Sequence, residues 1–146
     1  MVPSKRFKPV QRVAESQEQK AAKAFGQSQR LVQDQETRLE ELRQYHKEYM
    51  QRFQQSSQMG ISVAQLHEYR AFLAKLETAI KEQEKIVLAS QQNNVSHKEK
   101  WQQKHMRSQV LEKVVSRYKS EERKLMDSME QKEMDERSQR NRSPKG

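Results

Sequence analysis

The sequence predicts an all-α fold, an antiparallel two-helix coiled-coil hairpin with a longer second helix. Three observations predict it. Between Pro9 and Pro144 there is no proline, and Gly60 is one of only two glycines in that span. A seven-residue repeat runs without a stutter for about 65 residues after Ser62, apolar at its first four a positions and mixed from Asn94 onward, as expected of a coiled coil. In the stretch 58–66, Gln-Met-Gly-Ile-Ser-Val-Ala-Gln-Leu, a helix stop adjoins a helix start. Gly60 suits the left-handed position that ends a helix, because it has no Cβ to clash there. Ser62 reads as an N-cap, Gln65 completes a capping box, and Ile61 is placed to staple onto Leu66.

Composition narrows the possibilities further. The 146 residues are 32% hydrophobic and 34% charged, with a mean hydropathy of -1.25. That supports a narrow apolar seam and not a broad core. Abundant Gln, Glu, Lys, Arg and Ala favours helix over disorder. With no Cys, disulfides, thiol nucleophiles and Cys-based zinc sites are excluded. No apolar run is long enough to span a bilayer, and no signal-peptide block opens the chain, so an intracellular setting is expected.

The net charge of +9 is unevenly spread. Residues 36–86 carry eight basic and eight acidic side chains, residues 1–35 seven and three, and residues 87–146 fourteen and nine. Folding at Gly60 therefore predicts a neutral half beside the turn and a basic half bearing both termini.

In chain order, 1–9 reads as a basic leader and 10–136 as the hairpin, with its turn at about 56–61. Residues 137–146 read as a disordered basic tail. Pro9 fits a first helical turn, where its missing N–H costs nothing. The first helix should run from Val10 to about Gln55, with Phe25, Val32, Leu39, His46 and Phe53 at heptad position a. Its d positions include Phe7, Ala14, Ala21, Ser28, Gln35, Leu42 and Tyr49. The second carries Leu66, Leu73, Ile80, Val87, Asn94, Trp101, Ser108, Val115, Glu122 and Met129 at a. Its d positions are Tyr69, Leu76, Gln83, Ser90, His97, Lys104, Leu111, Tyr118 and Leu125. Antiparallel pairing is expected to set Tyr49 against Leu66, Leu42 against Leu73 and Leu39 against Leu76. Phe7 then meets Ser108, and the second helix outruns the first.

The two edges of the seam differ. The e edge is polar, with Met50 the main exception. The g edge carries Val10, Leu31 and Tyr45 from the first helix and Phe72, Ala79, Ile86 and Val114 from the second. Tyr45 falls opposite Phe72, and Leu31 opposite Ile86. Either a partner covers this strip, or Tyr45 and Phe72 fold over the seam and seal it.

Catalytic patterns are missing. The four histidines have no i,i+4 pairing that would hold a metal, and there is no phosphate loop or nucleophile elbow. The expected protein is not an enzyme and has no metal, cofactor or small-molecule substrate. Nucleic acid is disfavoured as a partner, because acidic residues interleave the basic end and the aromatics cluster in the neutral half.

The run Leu39, Leu42, Tyr45, Glu48, Tyr49, the Gly60-Ile61 turn, and then Leu66, Tyr69, Phe72-Leu73, Leu76, Ala79-Ile80 and Gln83 resembles the FliJ family of flagellar type III export components. Phe7, Val10, Ala21-Ala22, Leu111-Glu112-Lys113, Glu130-Gln131-Lys132 and Asp135-Glu136 fit the same pattern, so the resemblance spans nearly the whole chain. It implies a coiled coil similar to the central stalk, or gamma, subunit of rotary ATPases. The implied partners are the export ATPase hexamer, whose assembly and activity the family promotes, the cytoplasmic domain of the export-gate membrane protein, and export chaperones. The implied location is the bacterial cytoplasm, peripherally at the inner-membrane export apparatus, with the protein expected as a monomer. The family's gate-binding surface carries over to Leu42, Tyr45, Tyr49, Phe72, Leu76 and Ala79, while Arg38 and Gln83 depart from the pattern at its margins. The rival expectation is a generic coiled-coil scaffold whose basic end binds nucleic acid or anionic membrane.

Overall fold

The computed structural model describes residues 2–142. A short helix α1 (Pro3–Arg6) precedes α2 (Lys8–Met59), which folds back through Gly60, Ile61 and Ser62 into α3 (Val63–Arg142). Among the described residues there is no strand, and α2 and α3 pack as a helical hairpin. Gly60 takes φ 87°, the left-handed conformation expected of it. The capping box forms as well: Ser62 N–H donates to Gln65 Oε1 at 3.1 Å, and Gln65 N–H to Ser62 Oγ at 3.2 Å. A Cβ on Gly60 would meet nothing within 4 Å, so any cost of replacing it is purely conformational. Gly60→Ala is expected to lower stability by about 1 kcal/mol, the cost of a left-handed L-residue, which urea denaturation can read.

The heptad frame is followed closely. Every a and d position from Ser4 to Ser56 and from Leu66 to Glu122 is buried or half-buried. Most of the positions between them are exposed. Ala14, Leu39, Leu73, Leu76, Val87 and Val115 are the most enclosed apolar side chains. All sit on the seam.

The pairing of the two helices, however, differs from the expected one by a heptad. Ser28 reaches Asn94, the Phe53 and Tyr69 rings stand 5.4 Å apart, and Phe25 meets Trp101 at 5.9 Å. These contacts set Tyr49 level with Leu73 and Leu42 level with Ile80, not with Leu66 and Leu73. The turn supplies the reason. With α2 running to Met59 and only three residues between the helices, the fold point lies at Ile61, later than the middle of the expected turn over 56–61.

The chain divides into two compact units, Ala21–Trp101 and Met1–Lys20 with Gln102–Gly146. In Ala21–Trp101, polar residues cross the seam beside the apolar ones. Gln83 Nε2 donates to the Gln35 carbonyl at 3.0 Å and to Gln35 Oε1 at 2.7 Å. On the e edge, Arg43 and Glu84 lie 3.5 Å apart and half exposed, an ion pair of a kind that contributes little.

In the other unit the expected basic leader is drawn onto the seam. Ser4 N–H and Oγ donate to the two carboxylate oxygens of Glu122 at 3.1 and 2.7 Å. The Phe7 and Tyr118 rings stack at 5.6 Å, so Phe7 lies on Tyr118 and not at Ser108. Past Glu122, α3 continues without a neighbouring helix, and residues 123–142 are all exposed. Leu125 and Met129, expected on the seam, are 60% and 58% exposed, because the first helices have ended. Of the expected disordered tail, 137–142 is helical and the remainder lies outside the described residues.

Candidate functional site

The residues singled out on the g edge come together in the Ala21–Trp101 unit. Tyr49 and Phe72 approach to 4.4 Å between ring centroids, Tyr45 meets Phe72 edge-on at 6.0 Å, and Tyr45 lies 6.4 Å from Tyr49. Tyr69 extends the cluster at 5.3 Å from Tyr49, with its hydroxyl 3.2 Å from Ser56 Oγ. The two readings of this edge divide between the two rings. Phe72 is half-buried against Tyr49 and helps to seal the seam. Tyr45 keeps 45% of its surface exposed, much as Leu31 and Ile86 do at 44% and 46%.

The other positions contribute unequally. Leu42 and Ala79 are half-buried, whereas Leu76 is 7% exposed and belongs to the seam. Gln83 is also 7% exposed. Its amide is committed to Gln35, so it belongs to the seam and not to the margin of the strip. Arg38 is exposed. A shallow groove beside Tyr45 is lined by Thr37, Glu40, Glu41, Gln44 and Glu48, giving the apolar strip an acidic border on α2.

Histidines occupy three kinds of place. His67 is exposed, His97 is half-buried on the seam, and His46 lies on the seam with Nε2 3.5 Å from Glu77 Oε1. His105 is different. Its Nδ1 stands 2.5 Å from Glu18 Oε1, a pair that the sequence reading missed because pairing displaced by seven residues sets Glu18 against His97. The signal was a carboxylate at a seam a position, which asks for a donor across the interface. Among the described residues no group of three or more His, Asp or Glu side chains could hold a metal ion.

Hydrogen bonds from His105 and then Ser108 hold the Glu18 carboxyl below its ordinary value, outweighing the opposing effect of burial. A carboxylate whose folded pKa is depressed stabilises the fold above its unfolded pKa, and that stability is lost as pH falls through the folded value. Melting temperature should therefore decline on acidification through the carboxylate range. In Glu18→Gln the acid-side decline should be shallower; an unchanged profile would show that the pair contributes nothing.

Local geometry thus defines a coiled-coil hairpin whose chemistry is contact between helices, with one aromatic, partly uncovered edge. The chain matches the family described as Flagellar FliJ protein over residues 4–146. It belongs to that family, a group of non-catalytic flagellar export components. No curated protein and no solved structure matches it. No helix among the described residues is long and apolar enough to cross a membrane.

Proposed function

We propose that the protein is the component of the flagellar type III export apparatus that promotes the export ATPase hexamer, couples it to the cytoplasmic domain of the export gate, and binds export chaperones. The observation that carries the gate contact is the aromatic edge. Tyr45 is nearly half exposed beside Tyr49 and Phe72, while Leu42 and Ala79 are half-buried and Leu76 buried. Aromatic side chains held rigid and partly uncovered are the usual anchors of protein interfaces.

The ATPase contact falls to the other unit. Met1–Lys20 with Gln102–Gly146 carries 17 basic and 10 acidic side chains, against 12 and 10 in Ala21–Trp101. A basic surface speeds encounter with an acidic one. The unpaired part of α3, with Leu125, Met126 and Met129 more than half exposed, offers apolar contact on the same unit. Attachment through these partners accounts for a peripheral place at the inner membrane.

Mixing the protein with the export ATPase tests the reading. The full chain should raise ATPase activity, and a chain ending at Lys124 should raise it less while binding the gate domain as before. Equal stimulation by both chains would remove the unpaired helix from the mechanism. Retention of the protein on DNA or anionic vesicles at physiological salt, without ATPase stimulation, would favour the scaffold reading instead.

A further inference from the structure

An apolar heptad repeat is satisfied by more than one pairing of two helices. Sliding α3 by seven residues from its observed place keeps every a opposite a d, and sets Tyr49 on Leu66, Leu42 on Leu73 and Leu39 on Leu76. The leucines lose nothing by the slide. Beside the short turn and the ring contacts, what distinguishes the two pairings inside the seam lies at Ser28 and Asn94.

Asn94 is a half-buried polar residue at an a position, and Ser28 is 5% exposed at the facing d position. Ser28 Oγ stands 2.8 Å from Asn94 Oδ1 and 2.7 Å from the Phe25 carbonyl, sharing its hydroxyl proton between them. After the slide, Asn94 would lie opposite Ala21 and Ser28 opposite Val87, and the side-chain amide would have no partner across the seam. A single polar a residue of this kind specifies register in coiled coils at a cost in stability. The Gln35–Gln83 bridge does not discriminate, since the two residues stay within a turn of each other in both pairings. Phe25–Trp101 and Phe53–Tyr69 favour the observed pairing, as Ser28–Asn94 does.

We propose that Ser28 and Asn94 form a latch selecting one of two registers a heptad apart, and that releasing it switches the aromatic edge. In the slid register Tyr49 leaves Phe72 for Leu66, while Tyr45 keeps Phe72 as a neighbour, so the strip changes shape without losing its apolar character. This functional consequence rests on the edge being the gate-docking surface; the latch itself does not.

The chain has no cysteine, so introduced pairs report register cleanly in the full-length protein. Leu42→Cys with Ile80→Cys should close under mild oxidation in the observed register, and Leu42→Cys with Leu73→Cys only in the slid one. Adding Ser28→Ala and Asn94→Leu, which make the seam more apolar, should raise closure of the second pair at least tenfold with helicity retained. A second pair that stays open in that background overturns the latch. Gate-domain binding to the two crosslinked forms should then differ at least fivefold. Equal affinity, with Tyr45→Ala and Phe72→Ala still weakening both, would overturn the switch while leaving the docking reading intact. Failure of the native chain to bind the gate domain at all would instead sink the docking reading, and the crosslinking outcome would stand by itself.

Discussion

Tyr45→Ala combined with Phe72→Ala should weaken binding of the export gate's cytoplasmic domain by about 2 to 4 kcal/mol, the usual range for interface anchors. That corresponds to roughly thirty- to several-hundredfold in affinity. The cost to folding should be smaller. Tyr45 is nearly half exposed, and losing its edge-on contact with Phe72 and the closer Phe72–Tyr49 contact removes about 0.5 to 1.5 kcal/mol for each ring pair. Calorimetric titration against the gate domain, run beside thermal melts, separates the two effects. If stability and binding fell by equal amounts, the rings would merely close the seam.

Leu73→Ala should give the opposite pattern. Leu73 is 8% exposed at an a position, and truncating a buried leucine costs about 2 to 5 kcal/mol through lost transfer energy and the cavity left behind. A two-helix seam can collapse toward a gap more easily than a closed core, so the lower end of that range is expected. Met129→Ala makes the control. Met129 also occupies an a position but is 58% exposed, and its loss should fall within about 0.5 kcal/mol. The repeat ranks the two residues alike, and only the position of the first helices separates them. Chemical denaturation of both variants reads the difference directly, and similar losses would mean that the unpaired helix is covered in solution.

Local features of this fold were legible in the sequence because they depend on neighbours in the chain. Gly60, the Ser62–Gln65 capping box and the alternation of a and d positions each involve residues within a turn or two, and all appear as expected. The register was not legible, because the leucines of a heptad repeat fit equally well when shifted by seven. The contacts that fix it, Ser28 with Asn94, Phe7 with Tyr118 and Ser4 with Glu122, join residues 66 to 118 positions apart. No local rule reads those. The folding of Ser4 onto Glu122 likewise turned an apparent basic leader into part of the seam.

The aromatic edge is common to both registers for a geometric reason. A g residue sits between two g residues of the facing helix, and a seven-residue shift exchanges one of that pair while keeping the other. Phe72 is therefore beside Tyr45 in either pairing. Glu18 had no such protection. It sits on the seam itself, where a shift of seven sets Lys98 in the place of His105.

The three-residue connection between the helices also has a bearing on how the molecule is made. Contacts beside Gly60 close loops of a few residues, whereas the Ser4–Glu122 bonds span 118 positions, so closure should begin at the bend and zip outward, each step short once the preceding one has formed. On the ribosome, Ala21–Trp101 can assemble while much of the remaining chain is still unmade. Ser4 must then wait, unpaired, until the segment that carries Glu122 has been made.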